Sequence, residues 1–121
     1  MQYFLTGACF VVIIFRSKKL ETLCHDLSAA TGALGAPCAK KLFARLADLD
    51  AAQVLAIAPT LPGRFHALTA DRAGQYAFQL AGGLRLVIEP ANDPLPRLQD
   101  GSVNLQKVTA VRIVFIGNYH V

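Results

Sequence analysis

The sequence predicts an α+β domain in which a first strand leads into a two-helix hairpin, packed on one face of a mostly antiparallel sheet of four to five strands. That expectation rests on a β-branched apolar run at residues 11–15, two following segments with apolar residues at spacings of three and four, and alternating segments after residue 63. At 121 residues the chain has room for one core and no second domain. With 54% hydrophobic and 17% charged residues it is expected to fold rather than stay disordered.

The first fifteen residues carry no charge. A secretory signal would place basic residues before the apolar stretch, yet Arg16, Lys18 and Lys19 follow it. A membrane span would need about 20 apolar residues, more than the run supplies. A strand over residues 11–15 is the reading that remains. Residues 1–10 are then an apolar extension, either more strand or the product of an upstream start codon.

Ser17 is placed to cap a helix with Leu20, Leu23, Leu27 and Ala30 on its apolar stripe, ending near Gly32. A second helix is expected from Pro37 to about Asp50, with Leu42, Phe43, Leu46 and Leu49 inward and Lys40, Lys41 and Arg45 off the stripe. The short link over residues 32–36 makes the pair an antiparallel hairpin.

Residues 51–63 read as a connector ending in turn residues. Strands are expected over residues 64–68, 75–80 and 84–89, the last two joined by Gly82-Gly83, since both positions of a tight hairpin turn need positive φ. Residues 90–107 hold three of the six prolines and Asp100-Gly101, which marks an exposed insertion. A final strand over residues 108–116 should put Val111, Ile113 and Phe115 on one face and Arg112 on the other.

Cys9, Cys24 and Cys38 are odd in number and sit in apolar or helical patterns, so they read as buried small hydrophobes of a reducing compartment. They lack the paired spacing of a zinc site, and neither a metal nor another cofactor is expected. Twelve Lys and Arg against eight Asp and Glu give a net charge of +4 and a pI near 9.2, a lean toward phosphate-bearing partners.

No phosphate-binding glycine motif, nucleophile elbow or DNA-reading motif is present, so the candidate chemistry lies in Arg64, His66, Arg72, Arg85, Tyr119 and His120. By strand parity His66 and Arg85 both leave the apolar layer that the helices would cover. Cleaving RNA through its 2′-hydroxyl takes a base, an acid and cations, which histidine, tyrosine and arginine supply without metal. The same residues also fit a purely structural reading: a satisfied strand histidine, an edge-packing tyrosine and solvated arginines.

Several stretches resemble one family. Leu61-Pro62-Gly63-Arg64-Phe65-His66-Ala67-Leu68-Thr69, then Asp71-Arg72-Ala73-Gly74-Gln75-Tyr76 and Leu84-Arg85-Leu86, are similar to the HigB-like branch of the RelE/ParE toxin superfamily. Phe15-Arg16-Ser17-Lys18-Lys19-Leu20-Glu21 looks like its first strand entering its first helix, and Asn118-Tyr119-His120 looks like its terminal Asp-Tyr-His.

The resemblance covers about residues 11 to 120. It implies a cytoplasmic bacterial toxin, not a membrane protein, that enters the ribosomal A site and cleaves messenger RNA there. It also implies a helix-turn-helix antitoxin as partner, through which the toxin–antitoxin complex binds operator DNA. Carried over, Arg85 is the candidate for phosphate charge, His66 and His120 for proton transfer, and Tyr119 for stacking or orienting. Arg64, Arg72, Arg112, Lys40 and Lys41 are the candidates for holding RNA.

Asn118 departs from the branch. An amide neither accepts a proton at neutral pH nor carries a carboxylate's charge, which opens the alternative of an impaired homologue that binds antitoxin without cutting. A gyrase inhibitor of the ParE kind is a further alternative, against which the Tyr119-His120 pair argues.

Overall fold

A computed structural model of the chain describes residues 11–118. Strand β1 (Val12–Phe15) is followed by helices α1 (Lys18–His25), α2 (Leu27–Leu34) and α3 (Ala36–Ala51), then by β2 (His66–Ala67), β3 (Tyr76–Gln79), β4 (Arg85–Pro90) and β5 (Ala110–Gly117). The strands form one sheet in the order β1-β5-β4-β3-β2, antiparallel except where β1 runs parallel to β5. This is the expected α+β layering, with the helices on one face.

The helical region departs from expectation in one respect: the first helix is two. Ser17 caps α1 by accepting a hydrogen bond from the Leu20 amide. Asp26 then breaks the helical path with φ −125° and ψ 103°, and its carboxylate accepts from the Ser28 and Ala29 amides to start α2. A short acceptor side chain competes for backbone donors and favours a cap over a helix interior, an effect the apolar spacing does not register. Gly32 consequently lies inside α2 and Gly35, at φ 89°, ends it. Pro37 occupies the first turn of α3, where its missing N–H costs nothing.

Leu42 and Leu49 of α3, Ala30 of α2 and Cys24 of α1 pack against Phe78, Leu86, Ile88, Val111 and Ile113 of the sheet. On the other face a smaller cluster joins Ala77, Val87 and Val114, with Leu68 and Phe115 against it. Phe115 therefore does not share a face with Val111 and Ile113 as strict alternation predicts. The β4–β5 register pairs Val87 with Phe115 but Ile88 with Ile113, so Val114 is an extra residue in β5. A bulge of this kind reverses the parity of everything beyond it, and no periodicity in residues 110–117 announces it.

The segment between β4 and β5 is more ordered than an exposed insertion suggests. Pro90 belongs to β4, and Val103 and Leu105 pack on the main core. Asn92 closes the segment at its base: its side-chain oxygen accepts from the Thr109 and Ala110 amides, and its nitrogen donates to Thr109 Oγ1. At the tip, the Ser102 hydroxyl and amide hold the Asp100 carboxyl below the usual carboxylate range.

Of the expected strand over residues 64–68 only His66–Ala67 pairs, because Arg64 adopts φ 54° and bends the chain before it. Gly63 makes that approach possible. At φ 113° it lies under the Arg45 side chain, where an added Cβ would stand 2.5 Å from Nε and 3.1 Å from Phe78 Cδ1. Replacing Gly63 with Ala is expected to cost about 1–3 kcal/mol of stability, read as a lower urea midpoint.

Cys24 and Cys38 are buried free thiols, as expected, and Cys9 lies outside the described residues. Burial pushes the Cys24 thiol up to about 12 and raises that of Cys38. Both groups therefore stay protonated through neutral pH, below their raised values. Iodoacetamide at about pH 8 should leave both unlabelled in the native protein and label both in urea, as read by peptide mass spectrometry.

Candidate nucleic-acid interface

The helices cover one face of the sheet and leave the other open. On the open face, register aligns His66 of β2 with Ala77 of β3, Val87 of β4 and Phe115 of β5. The row gives a floor of small and apolar side chains with a histidine at one end. Residues 68–75 leave the sheet and return, Leu68 N–H bonding to the Gln75 carbonyl, and wall the floor on one side.

Between this wall and the sheet runs a cleft of about 760 Å³, to whose lining Arg16, His66, Asp71, Arg72, Gln75 and Arg85 contribute. Three arginines thus share it with one carboxylate, a local excess of positive charge over an apolar floor that screens it less than water would.

Each cationic group is held differently. Arg85 Nη1 donates to the Gly83 carbonyl at 2.9 Å, which ties it to the β3–β4 turn. The Arg72 guanidinium stands 4.7 Å from the Phe115 ring centre in a cation–π contact, and its Nη1 donates to Gln75 Oε1 at 3.0 Å. Gln75 Nε2 in turn donates to Glu89 Oε1 at 3.3 Å, and Arg112 Nη1 donates to Glu89 Oε2 at 2.6 Å. Phe115 can receive Arg72 only because the bulge at Val114 turns its ring to the open face. Arg16 follows β1, where Ile13 and Phe15 pack on the main core while Val12 and Ile14 are exposed on the open face; Arg16 continues the latter set.

His66 Nδ1 lies 2.8 Å from the Arg64 carbonyl oxygen. A carbonyl can only accept, so this bond requires the proton on Nδ1 and leaves the Nε2 lone pair of the neutral ring available.

The structure brings together His66, Arg72 and Arg85 of the residues singled out from sequence. Arg112 stands on the same face, but its charge is spent on Glu89. Arg64 is exposed and contributes its carbonyl to His66. Lys40 and Lys41 lie on α3, in the layer covering the opposite face, and neither lines the cleft; backbone position in the helix layer separates them from the other candidates. Gly117 pairs with Arg85, so Asn118 follows directly beside the Arg85 row. Tyr119 and His120 lie outside the described residues.

Sequence reasoning passed over Arg16 as a site residue, along with Gln75, Glu89 and Phe115. Strand parity in β1 was the available signal for Arg16; nothing local signals the other three. Among the described residues no cluster of His, Cys, Asp and Glu could hold a metal ion, and no helix is long and apolar enough to cross a membrane.

Compared by sequence, the chain matches no family model and no curated protein. Compared by structure, it is similar to a YoeB/ParE toxin from Agrobacterium tumefaciens, with a TM-score of 0.56 over 91% of this chain and 100% of that one, at 9% sequence identity. The two share a fold. Identity this low carries the fold and leaves the chemistry to the residues of the cleft.

The Glu89 bridge is testable without any ligand. Glu89→Gln removes the charge that balances Arg112, in a pair with side chains 36% and 27% exposed. It is expected to cost about 1 kcal/mol in urea unfolding, less at high salt.

Proposed function

We propose that this chain is the toxin of a toxin–antitoxin pair, of the HigB-like kind, and that it cleaves messenger RNA on the ribosome. The observation that carries the proposal is the convergence of Arg85, Arg72 and His66 on one cleft of the uncovered sheet face. The toxin fold of the structural neighbour and the ordered motifs running from Arg64 to His120 support it.

The cleft suits metal-independent cleavage. His66 Nε2 would take the proton of a ribose 2′-hydroxyl as that oxygen attacks the adjacent phosphorus, and the Nδ1–H bond to the Arg64 carbonyl steadies the cation that forms. Arg85 would bear the charge developing on the phosphate oxygens through paired N–H donors, with Arg72 beside it. Proton delivery to the departing 5′ oxygen would fall to His120, and Tyr119 would stack or orient. RNA would be held by Arg72 in the cleft and by exposed Arg64 before β2; Arg112, Lys40 and Lys41 would add only diffuse attraction. The proposed partners are a helix-turn-helix antitoxin, through which the pair would bind operator DNA, and the translating ribosome in a bacterial cytoplasm.

Primer extension on a translated message tests the proposal. The wild-type chain should cut, and Arg85→Ala should cut at least a hundredfold more slowly, the scale of losing one transition-state charge partner; His66→Ala should fall as far. Message left whole by the wild-type chain would sink it.

Asn118 favours a second reading, in which the chain captures antitoxin without cutting. The two separate on growth after induction: only a nuclease arrests it, while both bind the neighbouring gene's product. Restoring a carboxylate with Asn118→Asp is expected to raise cleavage if the amide limits it.

A further inference from the structure

The cationic groups of the open face are not equivalent in what they touch. Arg72 has Gln75 and the Phe115 ring, Arg85 has the Gly83 carbonyl, and Arg112 has Glu89. The Arg16 side chain makes no hydrogen bond or ion pair with any described residue, although it lines the same cleft as Arg72 and Arg85. Its main chain is nonetheless fixed, since the Arg16 amide donates to the Ile113 carbonyl at 3.0 Å and Ser17 caps α1 immediately after it. A guanidinium set on a rigid backbone, paired neither with Asp71 of this cleft nor with Glu21 and Asp50 of the hollow on its other side, matches an anion supplied from outside.

The position of Arg16 bears on which anion. Phe15 pairs with Ile113, so Arg16 falls beside Val114, whereas Arg85 pairs with Gly117; the two lie two strand intervals apart across β5 and three β5 residues apart along it, roughly 12 Å in all. The floor between them is Val87, Val114 and Phe115, with no acidic side chain. One phosphate group cannot satisfy guanidinium groups rooted that far apart as readily as two phosphates joined through a ribose. The bulge matters here as well, because it puts Val114 and Phe115 together on the open face between the two arginines.

We propose that Arg16 is a second phosphate-binding residue of the cleft, holding the phosphate next to the one at Arg85, so that the site takes a single RNA strand with at least two linked phosphates. The proposal rests on the RNA reading of the cleft. Arg16 acts in binding and takes no part in proton transfer.

The test is binding of a fluorescent 2′-O-methyl hexanucleotide, which cannot be cleaved, and of the matching dinucleoside monophosphate, starting at about 20 mM salt. Wild type, Arg16→Ala, Arg16→Lys and Arg85→Ala are compared, with circular dichroism to check folding. Arg16→Ala should weaken hexanucleotide binding about tenfold. It should also lower the slope of log affinity against log salt by about 0.7, the share of one phosphate contact on a single strand. Arg16→Lys should keep the slope, and Arg16→Ala should leave dinucleoside binding unchanged.

Hexanucleotide affinity and slope unchanged in Arg16→Ala, with Arg85→Ala weakened, would overturn this inference alone. If neither variant differs from wild type, or if wild type does not bind at low salt, the RNA reading of the cleft falls and this inference with it.

Discussion

Strand β5 is the constraint on which the other elements depend. It pairs on one side with β1 in parallel and on the other with β4 antiparallel, so among the described residues the first element is set by the last. Its covered face supplies Val111 and Ile113 to the core under the helices, and its open face supplies Val114 and Phe115 to the second, smaller cluster. A strand buried from both sides fixes the sheet in the way a keel fixes a hull: side chains can be exchanged at the edges, but not along it. The extra residue at Val114 makes this double burial possible, since regular alternation would have turned Phe115 back into the helix layer and left the open face without its largest side chain.

The open face shows why a small sheet with helices on one side suits ligand binding. The helix layer satisfies the burial requirement, so the other face can carry arginines without threatening the fold. Desolvating three guanidinium groups would be costly in an interior, but over a shallow apolar floor they keep access to water while feeling a lower dielectric than in free solution. The acceptors that hold Arg72, Arg85 and Arg112 are a side-chain amide, a main-chain carbonyl and a carboxylate. Two of the three are neutral, so fixing these arginines leaves most of the charge in place.

The sequence made the layering legible because it rests on periodicity, and periodicity is local. The inward sets Tyr76, Phe78, Leu80 and Leu84, Leu86, Ile88 could be read directly, as could the cap at Ser17 and the Gly82-Gly83 turn. The split at Asp26 and the bulge at Val114 were not legible. In the first, one carboxylate outcompetes an apolar stripe that continues across it; in the second, an insertion is defined by the partner strand, which the local text does not contain. The same division holds at the site. Parity placed His66 and Arg85 on the open face, while the Arg72–Gln75–Glu89–Arg112 chain joins residues up to forty positions apart through contacts no pattern encodes. Lys40 and Lys41 show the converse: charge off a helix stripe is solvent-facing, but which side of the molecule it faces depends on the sheet.

Asn92 has a wider consequence. By binding both backbone amides at the start of β5, it seals the β4–β5 segment at its neck, so the ends of β4 and β5 keep their alignment whatever lies between residues 93 and 107. The segment departs from the end of β4 opposite Arg85 and contributes nothing to the cleft lining. Its tip around Asp100 is an evolutionary free port: it can lengthen, shorten or exchange its surface at little thermodynamic cost while Val103 and Leu105 stay on the core, and a lineage could recode the outward identity of the molecule there while the cleft stays as it is.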